Sequence, residues 1–384
     1  ETFPRGAGSF WTWREAMYAS LAHMGPDELR AVASLAYVEM LESGFSRVGE
    51  FHYLHHDLNG APFSNIAEMS AAIVAAAMDS GIGLTLLPVL YSHAGFGAVP
   101  PNAAQGRFIL DVDAYVRLLE DAEHAAKPLP DAVVGLAPHS LRAVSPEQLE
   151  LLRGTMQGRP VHIHIAEQVK EVDDCLRWSG QRPVEWILDH ANVDARWCLV
   201  HATHMTPAET AALAKSSAVA GLCPITEANL GAGLFPAPDF VAAGGRYGIG
   251  SDSNVRIDCA EELRLLEYGQ RLHQRGRNIL AGGPWRSTGR TLYTEANRGG
   301  AQALGVKAQL DVGDPADILT LNLSHPSLLG KSGDALIDAF IFAAGTGAVD
   351  CVWRYGEKLV SGGRHRRRDE IVARYVPTLE KLIA

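Results

Sequence analysis

The chain has 384 residues, 47% of them hydrophobic and 20% charged, with a formal net charge of −10. That length is too great for one small core and suits a large α/β barrel or two domains, while the acidic balance argues against a general nucleic-acid binder. The five cysteines, Cys175, Cys198, Cys223, Cys259 and Cys351, are scattered without a C-x-x-C pair, and read as reduced thiols in a cytoplasmic protein rather than as a disulfide framework or a thiolate metal site.

No stretch has the run of about 18 uncharged apolar residues that a membrane span needs. The opening "ETFPRGAGSFWTWRE" shows neither the apolar region of a signal peptide nor a starting Met. From residue 46 onward, short apolar runs predict strands at 46–52, 83–91, 132–139, 160–166, 197–202, 217–223 and 246–251. Helical patterns lie between them, at 65–80, 111–126, 145–153, 169–178 and 206–215. Ser145-Pro146 and Thr206-Pro207 are natural helix starts, a capping hydroxyl followed by a residue with no N–H to satisfy. Seven β-then-α units in a row predict a parallel sheet, one unit short of a (β/α)8 barrel.

After residue 290 the pattern changes. "LYTEANRGGAQALG" predicts a helix ending at Gly305. "LDVGDPADILTLNL" gives a turn and a strand, and "DCVWRYGEKLVSGG" a hairpin turning at Tyr355-Gly356-Glu357. The expected organisation is therefore a TIM-like barrel domain over 1–305 and a small β-sandwich portion with a last helix over 306–384. The basic run Arg364 to Arg368 reads as a solvated helix start, and no internal repeat stands out.

The chemistry-bearing residues gather at one end of the predicted strands. His52, His139, Glu167, His201 and Asp252 all fall at or just past a strand's C-terminal end, where barrel active sites form. An open doubly wound sheet would concentrate such groups at one switch point. "VHIHIAEQ", residues 161–168, places His162, His164 and Glu167 in what otherwise reads as a buried strand. Burying ionisable groups is costly unless they are paired or bind a metal. His164 could ligate a divalent ion and Glu167 could exchange a proton beside it; His162 reads as structural. His201, in "LVHATH", could orient or deprotonate a water. Asp252, in "GIGSDSN", could be a metal ligand and proton acceptor, or simply the N-cap of the following helix.

The series His164, Glu167, His201 and Asp252, on successive strand ends, resembles the deaminase branch of the amidohydrolase superfamily. The tail "EANRGGAQALG … LDVGDPADILTLNL" is similar to that superfamily's C-terminal β-sandwich segment. "GSFWTWREAMY", "VGEFHYLHHD", "LAPHSLRAVS", "HIHIAEQ", "HATHMT" and "CPITEANLGAGLFP" together resemble the formimidoylglutamate deiminases of that branch, over essentially the whole chain. The resemblance implies hydrolytic deimination of N-formimino-L-glutamate to N-formyl-L-glutamate and ammonia, in histidine breakdown. It implies one divalent metal ion, expected to be Zn2+, with His164 and Asp252 as ligands and Glu167, His201 and Asp252 as catalytic groups. It implies that Arg14, Tyr53, His139 and Arg142 hold the substrate, whose two carboxylates suit arginine. Arg14 also sits among Phe10, Trp11 and Trp13, on which it could stack, and His55 and His56 read as loop residues. The expected setting is cytoplasmic, with a small dianionic substrate, no nucleic-acid or membrane partner, and a homodimer to which the aromatic-rich segment 10–18 would suit a subunit contact.

Two departures stand beside the resemblance. The superfamily needs an H-x-H pair at the end of its first barrel strand, and the only H-x-H here is His162-Ile163-His164. A metal on His164 and Asp252 alone would have two protein ligands instead of three or four, so the sequence is read as a fragment of a longer enzyme. Ala232, in "NLGAG", stands where the resemblance leads one to expect an acidic residue. Two rival readings remain: an aminohydrolase of the same branch acting on a nucleobase or triazine-like ring, and a metal-free, non-catalytic binding protein.

Overall fold

The computed structural model describes residues 21–283 and 286–383; Arg14 and the segment 10–18 lie outside the described residues. The chain divides into two compact units: Glu1–Val38, Arg47–Gln157 and Arg366–Ala384 form one, Glu39–Ser46 and Gly158–His365 the other. Helix α1 (Pro26–Ser43) runs across the division.

The first unit is built on parallel strands β1 (Arg47–His52) and β2 (Gly83–Leu90), with α2 (Glu68–Ser80) as the crossover. Every residue of β2 is buried, as expected of a strand paired on both edges and covered on its faces. Helix α3 (Val112–Ala126) then leads to the other edge of β2. The single strand expected at 132–139 is instead two short pieces, β3 (Val133–Val134) and β4 (Ala137–Pro138), both parallel to β2. A tyrosine hydroxyl causes the break. Tyr115 donates to the Pro88 carbonyl at 2.7 Å and accepts the Ala137 N–H at 3.1 Å, taking the place of a backbone rung. Helix α4 (Pro146–Leu151) opens with the predicted cap, Ser145 accepting the Gln148 N–H.

The second unit holds the other parallel sheet, in the order β5-β6-β7-β8: β5 (Val161–Ile165), β6 (Trp197–His201), β7 (Val219–Leu222) and β8 (Arg246–Ile249). Between β5 and β6 lie α5 (Val169–Ser179) and α6 (Pro183–His190). Helix α7 (Pro207–Lys215), capped by Thr206, follows β6. Helices α8 (Pro224–Leu230) and α9 (Ala237–Ala242) follow β7, and α10 (Cys259–Gln274) and α11 (Thr288–Ala303) follow β8. Helix α11 lies directly on β8 because three glycines meet there. A Cβ on Gly299 would sit 1.9 Å from the Tyr247 carbonyl oxygen, and one on Gly248 would sit 2.9 Å from the Gly300 Cα. A side chain at Gly299 or Gly248 would push the helix off the strand, whereas one at Gly300 would meet open space.

The parallel strands thus fall into two sheets, one in each unit, and no closed barrel is formed among the described residues. The β-rich C-terminal part is present as an antiparallel sheet, β12-β11-β10-β9, made of β9 (Ile318–Leu321), β10 (Val349–Arg354), β11 (Glu357–Ser361) and β12 (Arg364–His365). The hairpin turn falls at Tyr355-Gly356 as predicted, and α12 (Asp334–Ala339) lies between β9 and β10.

The basic run is not a solvated helix start throughout. Arg364 and His365 form β12, and only Arg368 begins the last helix, α13 (Arg368–Ile383), in the first unit. Arg367 donates to the Asp79 carbonyl at 2.7 Å, and the buried Asp79 carboxylate binds Arg30 at 2.8 Å and Arg374 at 2.9 Å. The run therefore anchors α13 to the end of α2, because a buried carboxylate must find positive partners. All five cysteines are free and buried. Among the described residues, no helix is long and apolar enough to cross a membrane.

Candidate active site

The site grows from the ends of β5, β6 and β8 in the second unit. On β5, His162 donates from its Nε2 to the Ala303 carbonyl at 2.8 Å, and burial pushes its pKa down to about 4. It is the neutral structural residue the sequence suggested. His164, two residues on, is only partly buried, and its ring centroid lies 5.5 Å from that of His201. The chain then turns through Ala166, whose φ is +49°. Glu171 of α5 holds that turn with both carboxylate oxygens, accepting the Ala166 and Glu167 N–H groups at 3.1 Å each. Glu167 is thereby presented on a fixed backbone, and it is buried.

His201 closes β6 with a φ of +66° and is 1% exposed. Three carboxylates surround its ring. Glu227 Oε1 lies 3.2 Å from Nδ1, while Glu167 Oε1 and Asp252 Oδ2 each lie 4.0 Å from Nε2. Burial alone would lower the imidazole pKa. Glu167, the hydrogen bond to Glu227 and the charge of Asp252 outweigh it and raise the pKa to about 10. Asp252 follows β8, with φ +48°. Burial raises its pKa to about 6, with His201 opposing and Glu167 and Glu227 adding to the rise. Its side chain is still 30% exposed, so solvent moderates that rise. Asp252 is not the cap of the next helix. That role belongs to Asp258, whose Oδ1 accepts the N–H groups of Ala260 and Glu261.

The backbone carries a further signal. Ala166, His201, Ala202 and Asp252 all have positive φ, a conformation that costs a residue with a Cβ about 1–3 kcal/mol. Strained residues follow β5, close β6 and follow β8, which is where the ionisable side chains are found.

His164 and Asp252 are of the right donor types for a divalent ion, an imidazole and a carboxylate. The set is short in number: among the described residues no group of three or more His, Cys, Asp or Glu side chains could hold a metal.

In the first unit, Tyr53 and His139 come together, their ring centroids 6.1 Å apart. The His139 ring also packs edge-on against Tyr91 at 4.7 Å, and its Nδ1 lies 3.0 Å from the Ser140 hydroxyl. Arg142 follows in the turn after β4, partly buried. His55 and His56 are loop residues as expected, with Nε2 atoms donating to the carbonyls of Val89 and Ile109.

The amidohydrolase family model matches residues 2–359. The chain belongs to the amidohydrolase family. It is 52% identical, over 98% of its own length and 83% of the relative's, to a formimidoylglutamate deiminase from Pseudomonas aeruginosa. Among solved structures, an amidohydrolase from Brucella melitensis is 51% identical and superposes with a TM-score of 0.95, covering 100% of this chain and 85% of that one. An adenosine deaminase from Xanthomonas campestris, solved with bound zinc, has a TM-score of 0.80 at 21% identity over 99% of this chain and 81% of that one, a likeness of fold alone. Membership in the amidohydrolase family implies a TIM-barrel-like α/β fold with a β-rich C-terminal part, and amidohydrolases are generally metal-dependent.

Three further residues around this candidate site were not legible as such in the sequence. Glu171 was not singled out, and Thr226 and Glu227 stood only within the motif "CPITEANLGAGLFP". Thr226 bonds the Ser251 carbonyl and the Ser253 hydroxyl, at 3.1 and 2.9 Å, and so holds the loop that carries Asp252. The available signal was position: "TEANL" follows β7, the one strand of this sheet whose end had been given no role. Ala232, where an acid was expected, is buried and donates its N–H to the Glu227 carbonyl.

Proposed function

We propose that the protein hydrolyses N-formimino-L-glutamate to N-formyl-L-glutamate and ammonia. The observation that carries the reaction type is the arrangement around His201, with Glu167 and Asp252 each 4.0 Å from its Nε2. The 52% identity to a formimidoylglutamate deiminase supports the substrate.

Deimination adds water across the formimino carbon and releases its terminal nitrogen as ammonia. The water oxygen becomes the formyl carbonyl oxygen, so both of its protons must leave and both must reach the departing nitrogen, one on addition of the water and one on release of ammonia. Asp252, with a pKa near 6, is ionised at neutral pH yet basic enough to take the water's proton. His201, protonated among carboxylates, orients the water from Nε2. Glu167, fixed through its backbone by Glu171, carries the proton to the leaving nitrogen. His164 and Asp252 are the chain's candidate ligands for a divalent ion, Zn2+ by resemblance, which when bound would make water more acidic. Tyr53, His139 and Arg142, with Arg14, are assigned to the substrate; the two arginines suit its carboxylates.

The test is ammonia release by the purified protein from N-formimino-L-glutamate, alongside nucleobase and triazine substrates, with metal content measured on the same sample. Release from formiminoglutamate alone supports the reading. Turnover of a neutral ring in its place, or of nothing by a metal-loaded sample, overturns it.

A further inference from the structure

The sequence motif "CPITEANLG" is explained by no step above, and it contains the carboxylate nearest to His201. Glu227 is 6% exposed, and its Oε1 accepts two hydrogen bonds: one from the Cys223 N–H at 2.9 Å and one from His201 Nδ1 at 3.2 Å. The helix that carries it cannot shift freely. The Ile225 N–H is held by the buried Glu262 at 2.9 Å, and the Thr226 hydroxyl by the Ser251 carbonyl at 3.1 Å. Glu227 is thus tied at its neighbours and at its own carboxylate, and the ring it touches has one nitrogen committed to it.

We infer that Glu227 is the positioning residue of His201, holding the hydrogen on Nδ1 and so fixing Nε2 toward Glu167 and Asp252. Glu227 Oε1 already accepts the Cys223 N–H, and the same oxygen faces His201 Nδ1, which therefore donates to it. A histidine's working nitrogen is chosen by the bond its other nitrogen makes. Without Glu227 the ring could rotate, and Nε2 would lose its fixed direction. This inference deepens the deiminase reading and rests on it for its kinetic consequence, but its structural content can be tested alone.

With histidine-selective 15N labelling, the ring correlations of His201, assigned by their loss in His201→Asn, should show Nδ1 bearing hydrogen in the unmodified protein. A bare Nδ1 with protonated Nε2 would overturn the inference whatever the activity. In turnover of N-formimino-L-glutamate, Glu227→Ala should lower kcat about 10–100-fold and leave KM within about twofold. Glu227→Gln should recover most of the loss, because its amide oxygen can accept the same two bonds. Wild-type kcat in Glu227→Ala, or no recovery in Glu227→Gln, would count against positioning. If the unmodified protein releases no ammonia, the functional reading fails and the ring measurement decides Glu227. The same measurement decides it if Glu227→Ala does not fold.

Discussion

Histidines end strands in both units, and their environments drive them in opposite directions. At the end of β1, His52 and the nearby His55 are buried with ring centroids 5.7 Å apart and no carboxylate among the causes of their shifts. Burial leads, and their pKa values fall to about 4 and about 3. At the end of β6, His201 is as deeply buried, yet three carboxylates carry its pKa up to about 10. Residue type and burial are the same. The count of nearby charges separates the two, and it is the charged environment that suits His201 to the role proposed for it.

The sharpest way to break this contrast is to remove a carboxylate from the β6 side. Glu167→Gln should cut turnover of formiminoglutamate by about 10²–10⁴-fold with unchanged thermal unfolding; near-full activity would remove Glu167 from proton transfer. Arg142→Ala should act on binding instead. Loss of a charge-assisted hydrogen bond predicts a KM raised about 10–100-fold, and an unchanged KM would favour a neutral ring substrate. Glu171→Ala leaves two N–H groups without their acceptor, and should cost about 1–3 kcal/mol in denaturant unfolding. A smaller loss would mean that water replaces the carboxylate.

The smallest effect tests the β1 side. His52 and His55 have folded pKa values below the unfolded value of about 6.5, so the unfolded chain binds more protons between the two. Their contribution is complete above about pH 6.5 and is lost as pH falls toward about 4 and about 3, by on the order of 1 kcal/mol per pH unit for each. Unfolding free energies measured from pH 7 to pH 4 should show that slope, and His52→Gln should flatten it. For His201 the sign is reversed: its contribution is complete below about pH 6.5 and is lost as pH rises through about 10.

Much of the architecture was legible because it is written in local patterns. The alternation of apolar runs located all seven parallel strand positions, and Ser145 and Thr206 announced their helices by capping. The break at 135–136 was not legible, because it depends on Tyr115 reaching over from α3. In the site, His164, Glu167, His201 and Asp252 were found because each stands out against an apolar strand or closes one. Glu171 and Glu227 escaped because a glutamate on a short helix looks like any solvated surface residue. Only the fold shows that their oxygens turn inward onto backbone N–H groups. Arg364 to Arg368 misled for the converse reason: a basic run looks solvated until a buried acid such as Asp79 claims part of it.

The five buried thiols have a practical use. All of them, from Cys175 to Cys351, belong to the second unit, and burial pushes the Cys175 and Cys198 thiols up to about 12. A thiol alkylates as its thiolate, so the folded chain should resist labelling at neutral pH and react only when that unit opens. Alkylation kinetics would then act as a clock for opening of the second unit alone.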